Sequence, residues 1–169
     1  MKTATSFGGP FILLPHRLAG EWSEALGDRP DTDQGLYGEV CKGTGTSFMS
    51  LIPFRGIEVL RISDVPHDLN WVPFHTGGLV IQCDFADSLE QLLDFVAAVA
   101  ETEIWEERLE MNLDDTAIRI MDSCGFDGDG QPKIDVFLKP GKYRVEAGYA
   151  ESETVGATIF RLSRLDSGE

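Results

Sequence analysis

Glycine and proline cut this chain into short apolar runs. Eighteen glycines and eight prolines are spread along the sequence rather than clustered. Each such position tends to end a helix or turn a strand, so the chain is confined to many short connections, as in a strand-rich fold. The run Phe11-Ile12-Leu13-Leu14, entered through Gly8-Gly9-Pro10 and closed by Pro15, reads as a short buried strand. Residues 48–53 and 57–62 read as a hairpin around Arg55-Gly56. Both faces of its second arm are partly apolar, which places that strand centrally in its sheet. In residues 79–85, Leu79, Ile81, Cys83 and Phe85 alternate with Val80, Gln82 and Asp84, the period of a strand with one core face.

The same period continues through the second half. Trp105, Leu109, Met111 and Leu113 alternate with Glu106, Arg108, Glu110 and Asn112, favouring a strand over a helix. Residues 117–121, 134–138, 143–149 and 157–162 are further strands, separated by turn-rich segments at 124–130, 139–142 and 151–156. Residues 36–42 are expected to form a strand as well. Residues 28–35 and 64–73 are expected to be connections.

Helical spacing is confined to two places. Leu18, Trp22 and Leu26 share one face of a short helix that Gly27 would end. Leu89, Leu92, Leu93, Val96 and Val99 recur at helical spacing after Asp87-Ser88, with Glu90 and Gln91 each three residues beyond a capping candidate. The expected fold is therefore α+β: a mostly antiparallel multistranded sheet or sandwich, one principal amphipathic helix and a short N-terminal helix. A length of 169 residues suits a single domain over 1–169.

Charge is the strongest functional signal. Twenty-nine acidic residues against fourteen basic ones give a formal charge of −15. A surface this negative repels nucleic acid and anionic membranes and speeds the approach of a basic protein. The opening segment through Ser6 is too short and polar to precede a signal core, and no run approaches the roughly 18 apolar residues of a membrane helix. The expected location is the cytoplasm.

Chemistry is sparse. Cys41, Cys83 and Cys124 are widely spaced without a Cys-x-x-Cys pair, so neither a disulfide framework nor a zinc cluster is encoded. Cys83 sits in the apolar set of its strand and reads as an inert buried thiol. His16, His67 and His75 form no ligand pair. Asp127-Gly128-Asp129-Gly130 opens like a calcium loop but puts Pro132 and Leu138 where a glycine and a glutamate belong, so a hairpin turn is the better reading. Gly43-Thr44-Gly45 lacks the lysine and helix of a phosphate loop, and Asp122-Ser123-Cys124-Gly125 reads as a strand exit. No catalytic residue, metal site or cofactor emerges, and the chain is expected not to be an enzyme.

What remains is the acidic segment. Glu103, Glu106, Glu107, Glu110, Asp114 and Asp115 form its densest part and are the candidate contacts for a basic partner. A carboxylate pair within residues 101–115 could alternatively serve a small hydrolase. A general acidic interaction module is a third reading.

Two blocks carry a resemblance. Ser6-Phe7-Gly8-Gly9-Pro10-Phe11-Ile12-Leu13-Leu14-Pro15 with Trp22, and Trp71-Val72-Pro73 with Gly77-Gly78-Leu79-Val80 and Ala86-Asp87-Ser88, resemble the Immunity protein 21 family of polymorphic toxin systems. The Asp122-Ser123 exit and a hairpin over residues 138–145 are compatible with it. That hairpin is also similar to the end of competence protein J, an inhibitor of a DNA-entry nuclease. Both resemblances imply inhibition by binding and transfer no catalytic residue. They imply a bacterial immunity protein that neutralises a cognate toxin by stoichiometric binding, and the family defines no toxin for this chain; the acidic composition adds the expectation of a basic target surface, such as that of a nuclease.

Overall fold

A computed structural model describes residues 2–6, 8–27, 31–62, 67–125 and 132–165. The strands are β1 (Lys2–Ala4), β2 (Phe11–Pro15), β3 (Met49–Phe54), β4 (Ile57–Ile62), β5 (Leu69–Phe74), β6 (Gly77–Ala86), β7 (Glu107–Leu113), β8 (Ala117–Asp122), β9 (Ile134–Phe137), β10 (Gly141–Glu151) and β11 (Val155–Arg164). The helices are α1 (Ala19–Leu26), entered through a 3-10 turn at His16–Leu18, α2 (Gly35–Cys41) and α3 (Leu89–Val99). Two sheets result, one ordered β1-β5-β6-β11-β10-β7 and the other β3-β4-β2-β8-β9. Every strand pair is antiparallel. The expected α+β sandwich is the fold observed.

The sheets pack face to face, and helices cover part of each outer face. Phe11, Leu13, Leu60, Ile62, Ile118 and Ile120 of the second sheet meet Trp71, Val80, Tyr143, Val145, Phe160 and Leu162 of the first in one inner core. On the outer face of the second sheet, Ile12, Leu14, Ile52, Val59 and Met121 pack under Leu18, Trp22, Leu26, Tyr37 and Val40 of the helical segments. Trp22 meets Phe54 edge to face with ring centres 5.0 Å apart. On the outer face of the first sheet, Ile81, Ala157 and Ile159 lie under Leu92 and Val96 of α3. The order of layers is helix, sheet, sheet, helix.

Local chemistry sets the turns and caps. Arg55 and Gly56 both take positive φ, 50° and 80°, the geometry that matches a tight hairpin to the strand twist. The Ser88 Oγ accepts the Gln91 N–H while the Gln91 side chain accepts the Asp87 N–H, a reciprocal cap for α3. Leu89, expected on the buried face of α3, is 47% exposed because it sits in the first turn, ahead of the sheet contact.

Several expectations are corrected. The segment expected as a strand over 36–42 is helical up to Cys41, in α2, because Leu36, Tyr37, Val40 and Cys41 fall on one helical side and pack beside α1. The segment read as a connection ending at Pro73 contains β5. Pro73 lies beyond the described pairing of β1 with β5, which runs from Leu69 to Trp71, a position near a sheet edge where proline is tolerated. Polar Lys2–Ala4 adds an unexpected edge strand. The alternation in β6 marks two buried faces, not one: Ile81 lies under α3 while Val80 and Gln82 point the other way and are fully buried. Cys83 is only partly buried in the α3 layer.

Residues 138–145 are not a hairpin. β9 belongs to one sheet and β10 to the other, so Lys139-Pro140-Gly141 is an arch between layers. It is stapled by the Tyr143 hydroxyl, which donates to the Lys139 carbonyl over 2.8 Å. The turn read at Asp127-Gly128-Asp129-Gly130 and parts of the expected connections at 28–30 and 64–66 lie outside the described residues.

Burial on both faces predicts that neighbouring residues of β2 are equally costly to truncate. Leu13→Ala and Leu14→Ala each open a cavity on opposite sides of one sheet, and each should lose about 2–5 kcal/mol of unfolding free energy in urea titrations. A single-faced sheet would show the loss at only one of them.

Candidate partner-binding surfaces

Alternation along β7 divides the acidic segment. Leu109, Met111 and Leu113 point into the inner core, and Glu107 shares their direction. Its two carboxylate oxygens accept the Phe48 N–H at 2.9 Å and the Met49 N–H at 3.2 Å. Glu107 therefore bridges the edges of the two sheets, satisfying amides at the entry to β3. Arg108, Glu110 and Asn112 point outward. Glu110 pairs with Lys142 at 2.5 Å, and that hydrogen bond and charge hold its carboxyl below the ordinary range. Asp115 accepts from Arg17 Nε at 3.1 Å and from its own loop at the Ala117 N–H. Glu106 is exposed and accepts the Tyr149 N–H at 3.3 Å, and Glu103 and Asp114 are exposed.

The segment is therefore not one continuous acidic face. Glu103, Glu106, Glu110 and Asp114 remain presentable to a partner, whereas Glu107 and Asp115 hold the frame. The same commitments weigh against a carboxylate pair for hydrolysis, since two of its candidates are occupied by structural partners.

Beside β7 the outward face of the first sheet carries a compact ionic group. Glu146 is 3% exposed and lies between Arg108 and Arg161. Arg161 Nε and Nη2 donate to one carboxylate oxygen at 2.9 and 2.6 Å, and Arg108 Nε donates to the other at 2.9 Å. The Arg161 guanidinium also lies 4.2 Å from the centre of the Trp105 ring and donates to the Ala100 carbonyl. Burial pushes the Glu146 carboxyl up, but the hydrogen bonds and charges of the two arginines outweigh it and the net shift is downward. An adjoining cavity of about 380 Å³ is lined by Trp105, Arg108 and Arg161 with Glu101 and Glu103.

The residues that carry the sequence resemblance prove to interlock. Ser6 Oγ donates to Asp122 Oδ2 at 3.1 Å, the Ser123 N–H donates to the Pro10 carbonyl at 2.8 Å, and Trp22 Nε1 donates to the Ser123 carbonyl at 3.0 Å. A Cβ on Gly9 would come within 2.8 Å of the Asp122 carboxylate. In the second block, a Cβ on Gly78 would stand 2.2 Å from the Trp71 ring and one on Gly77 1.8 Å from the Leu162 carbonyl. The exit at Asp122-Ser123 is thus a buried junction rather than a plain strand end. Both blocks act as packing determinants.

Sequence reasoning passed over Phe137, whose side chain is 80% exposed, and Phe74, at 38%. The signal was present: Ile134, Val136 and Leu138 are the buried set of β9 and its exit, which leaves Phe137 on the outward face with Asp135. Among the described residues no group of three His, Cys, Asp or Glu side chains is arranged to hold a metal ion, and no helix is long and apolar enough to cross a membrane.

The family described as Immunity protein 21 matches residues 3–155. No curated protein and no solved structure matches the chain.

The ionic group gives a pH prediction. A folded-state value below the unfolded one means that Glu146 contributes fully above the unfolded carboxylate range and progressively less as pH falls through its folded value. Glu146→Gln should cost about 2–3 kcal/mol at neutral pH, less than the about 3–5 of a fully enclosed pair because Arg108 is 60% exposed. The difference from the parent should shrink in acid, as read by urea titrations at stepped pH. A constant difference would show that packing, not charge, sets the loss.

Proposed function

The chain belongs to the Immunity protein 21 family, and from that premise we propose that it neutralises a cognate polymorphic toxin, a nuclease, by stoichiometric binding to a basic surface around the toxin's active site. The observation that supports a basic target is the formal charge of −15. A nuclease must attract phosphates, and the cationic groups that do so also attract a folded polyanion. The same charge disfavours nucleic acid and anionic membranes as partners of this chain. Its action belongs in the cytoplasm of the cell to be protected.

The exposed carboxylates Glu103, Glu106, Glu110 and Asp114 make the contact. Glu107 and Asp115 keep β7 and its exit in place beneath them, through the amides at the start of β3 and through Arg17. At 0.15 M ionic strength the screening length is about 8 Å, so the distant charges guide the approach weakly while close pairs persist in the complex.

Co-expression with the toxin domain encoded beside its gene should restore growth, and titration calorimetry should give one chain per toxin. Joint reversal of Glu106 and Glu110 to lysine should slow association by about tenfold while changing dissociation less, with the circular dichroism spectrum unchanged. Added salt should slow the parent in the same way. An association rate indifferent to both salt and reversal would assign the acidity to solubility and remove these residues from the interface.

A further inference from the structure

At one end of the sandwich a cleft of about 320 Å³ opens between the turn joining β5 to β6 and the arch joining β9 to β10. Its floor is Trp71 and Tyr143, both part of the inner core. Its lip carries Phe74 and Phe137, two of the few large apolar side chains left exposed among the described residues. Around them stand His75, Lys139 and Arg164. Among the described residues no acid lines it, in a chain where acids outnumber bases 29 to 14. No carboxylate among the described residues pairs with Lys139 or Arg164. The Arg164 Nε is buried without a hydrogen-bond acceptor, against Gly141, where a Cβ would approach it to 2.8 Å. The cleft is thus an aromatic and cationic island on a polyanion.

We propose that this cleft docks a segment of the partner toxin that presents a carboxylate beside a bulky apolar side chain. The occupant rests on the toxin-binding reading above, but the chemistry stands on the cleft itself. An exposed phenylalanine over an apolar floor is the usual anchor of an interface, and a guanidinium beside it gives a charge-assisted bond to a carboxylate that water competes with poorly. The volume lies at the low end of the about 300–1,000 Å³ of ligand clefts, suited to one anchoring side chain and its neighbour. A second copy of this chain is the weaker occupant, because two bodies of charge −15 repel. The acidic face would then set the rate of encounter, and the cleft the lifetime and orientation of the complex.

The test pans a displayed library of random heptapeptides against the full chain and against Phe137→Ser and Arg164→Gln. Phe137 is 80% exposed, so the serine variant should melt like the parent. Selected peptides should pair an aspartate or glutamate with a neighbouring Phe, Leu, Met or Trp. Each variant, and amidation of the peptide carboxylate, should weaken binding at least tenfold in fluorescence anisotropy. With the toxin, both variants should speed dissociation at least tenfold and leave association nearly unchanged. No enrichment, basic or carboxylate-free peptides, equal binding to the variants, or a parent dimer that Phe137→Ser dissolves in sedimentation would each overturn the proposal. A toxin held equally by parent and variants would overturn it and leave toxin neutralisation standing. Absence of protection by the parent would instead count against the toxin itself, with the peptide result still deciding the cleft.

Discussion

Everything in this structure depends on β2 being buried from both sides. Phe11 and Leu13 enter the core between the sheets while Ile12 and Leu14 enter the core beneath α1 and α2, and all four are fully inaccessible. A strand in this position can carry no polar alternation, and the sheet it centres cannot exist without cover on each face. The helical layer is therefore a requirement rather than an ornament. The same demand is met on the other sheet by α3, through Leu92 and Val96 over Ile81 and Ile159.

Two-sided burial leaves the sheet margins to be closed by polar groups. On one side Glu107 accepts two amides at the entry to β3. On the other, the Lys2 ammonium donates to the Asp135 carbonyl and the Thr5 N–H to that of Pro132, tying β1 to the neighbourhood of β9. An edge secured in this way offers fewer free backbone groups to another chain. What stays open is the ends of the layers, where the arch at Lys139-Pro140-Gly141 and the turn at His75-Thr76 meet across a cleft.

The legible parts of the fold were those decided locally. Positive φ at Arg55-Gly56, the Ser88 and Gln91 cap and the regular period of β7, β8, β10 and β11 need no knowledge of the rest of the chain. The illegible parts were decided at long range. Nothing within residues 134–145 says that β9 and β10 belong to different sheets, and nothing within residues 64–73 says that β5 pairs with β1 at one side and β6 at the other. Alternation in β6 read as one core face because the pattern cannot distinguish a solvent face from a face beneath a helix. Among the candidate contacts, Glu107 was grouped with Glu106 and Glu110 by density. Strand period separates them, and its structural bonds to Phe48 and Met49 come from residues nearly sixty positions away. The Gly8-Gly9-Pro10 block reads as a strand entry in sequence, and its tie to Asp122-Ser123 emerges only when β2 and β8 pair.

Four stacked layers also determine how such a scaffold can change its partner over evolutionary time. The face between the sheets and the parts of the outer faces under the helices are already occupied, so a substitution there disturbs packing before it reaches a ligand. Positions such as Phe74, Phe137 and Lys139 and the outward residues of β7 lie outside that packing and can change with little disturbance of it. The interior is free to stay constant while the periphery is edited, so the surface can diversify without renegotiating the fold.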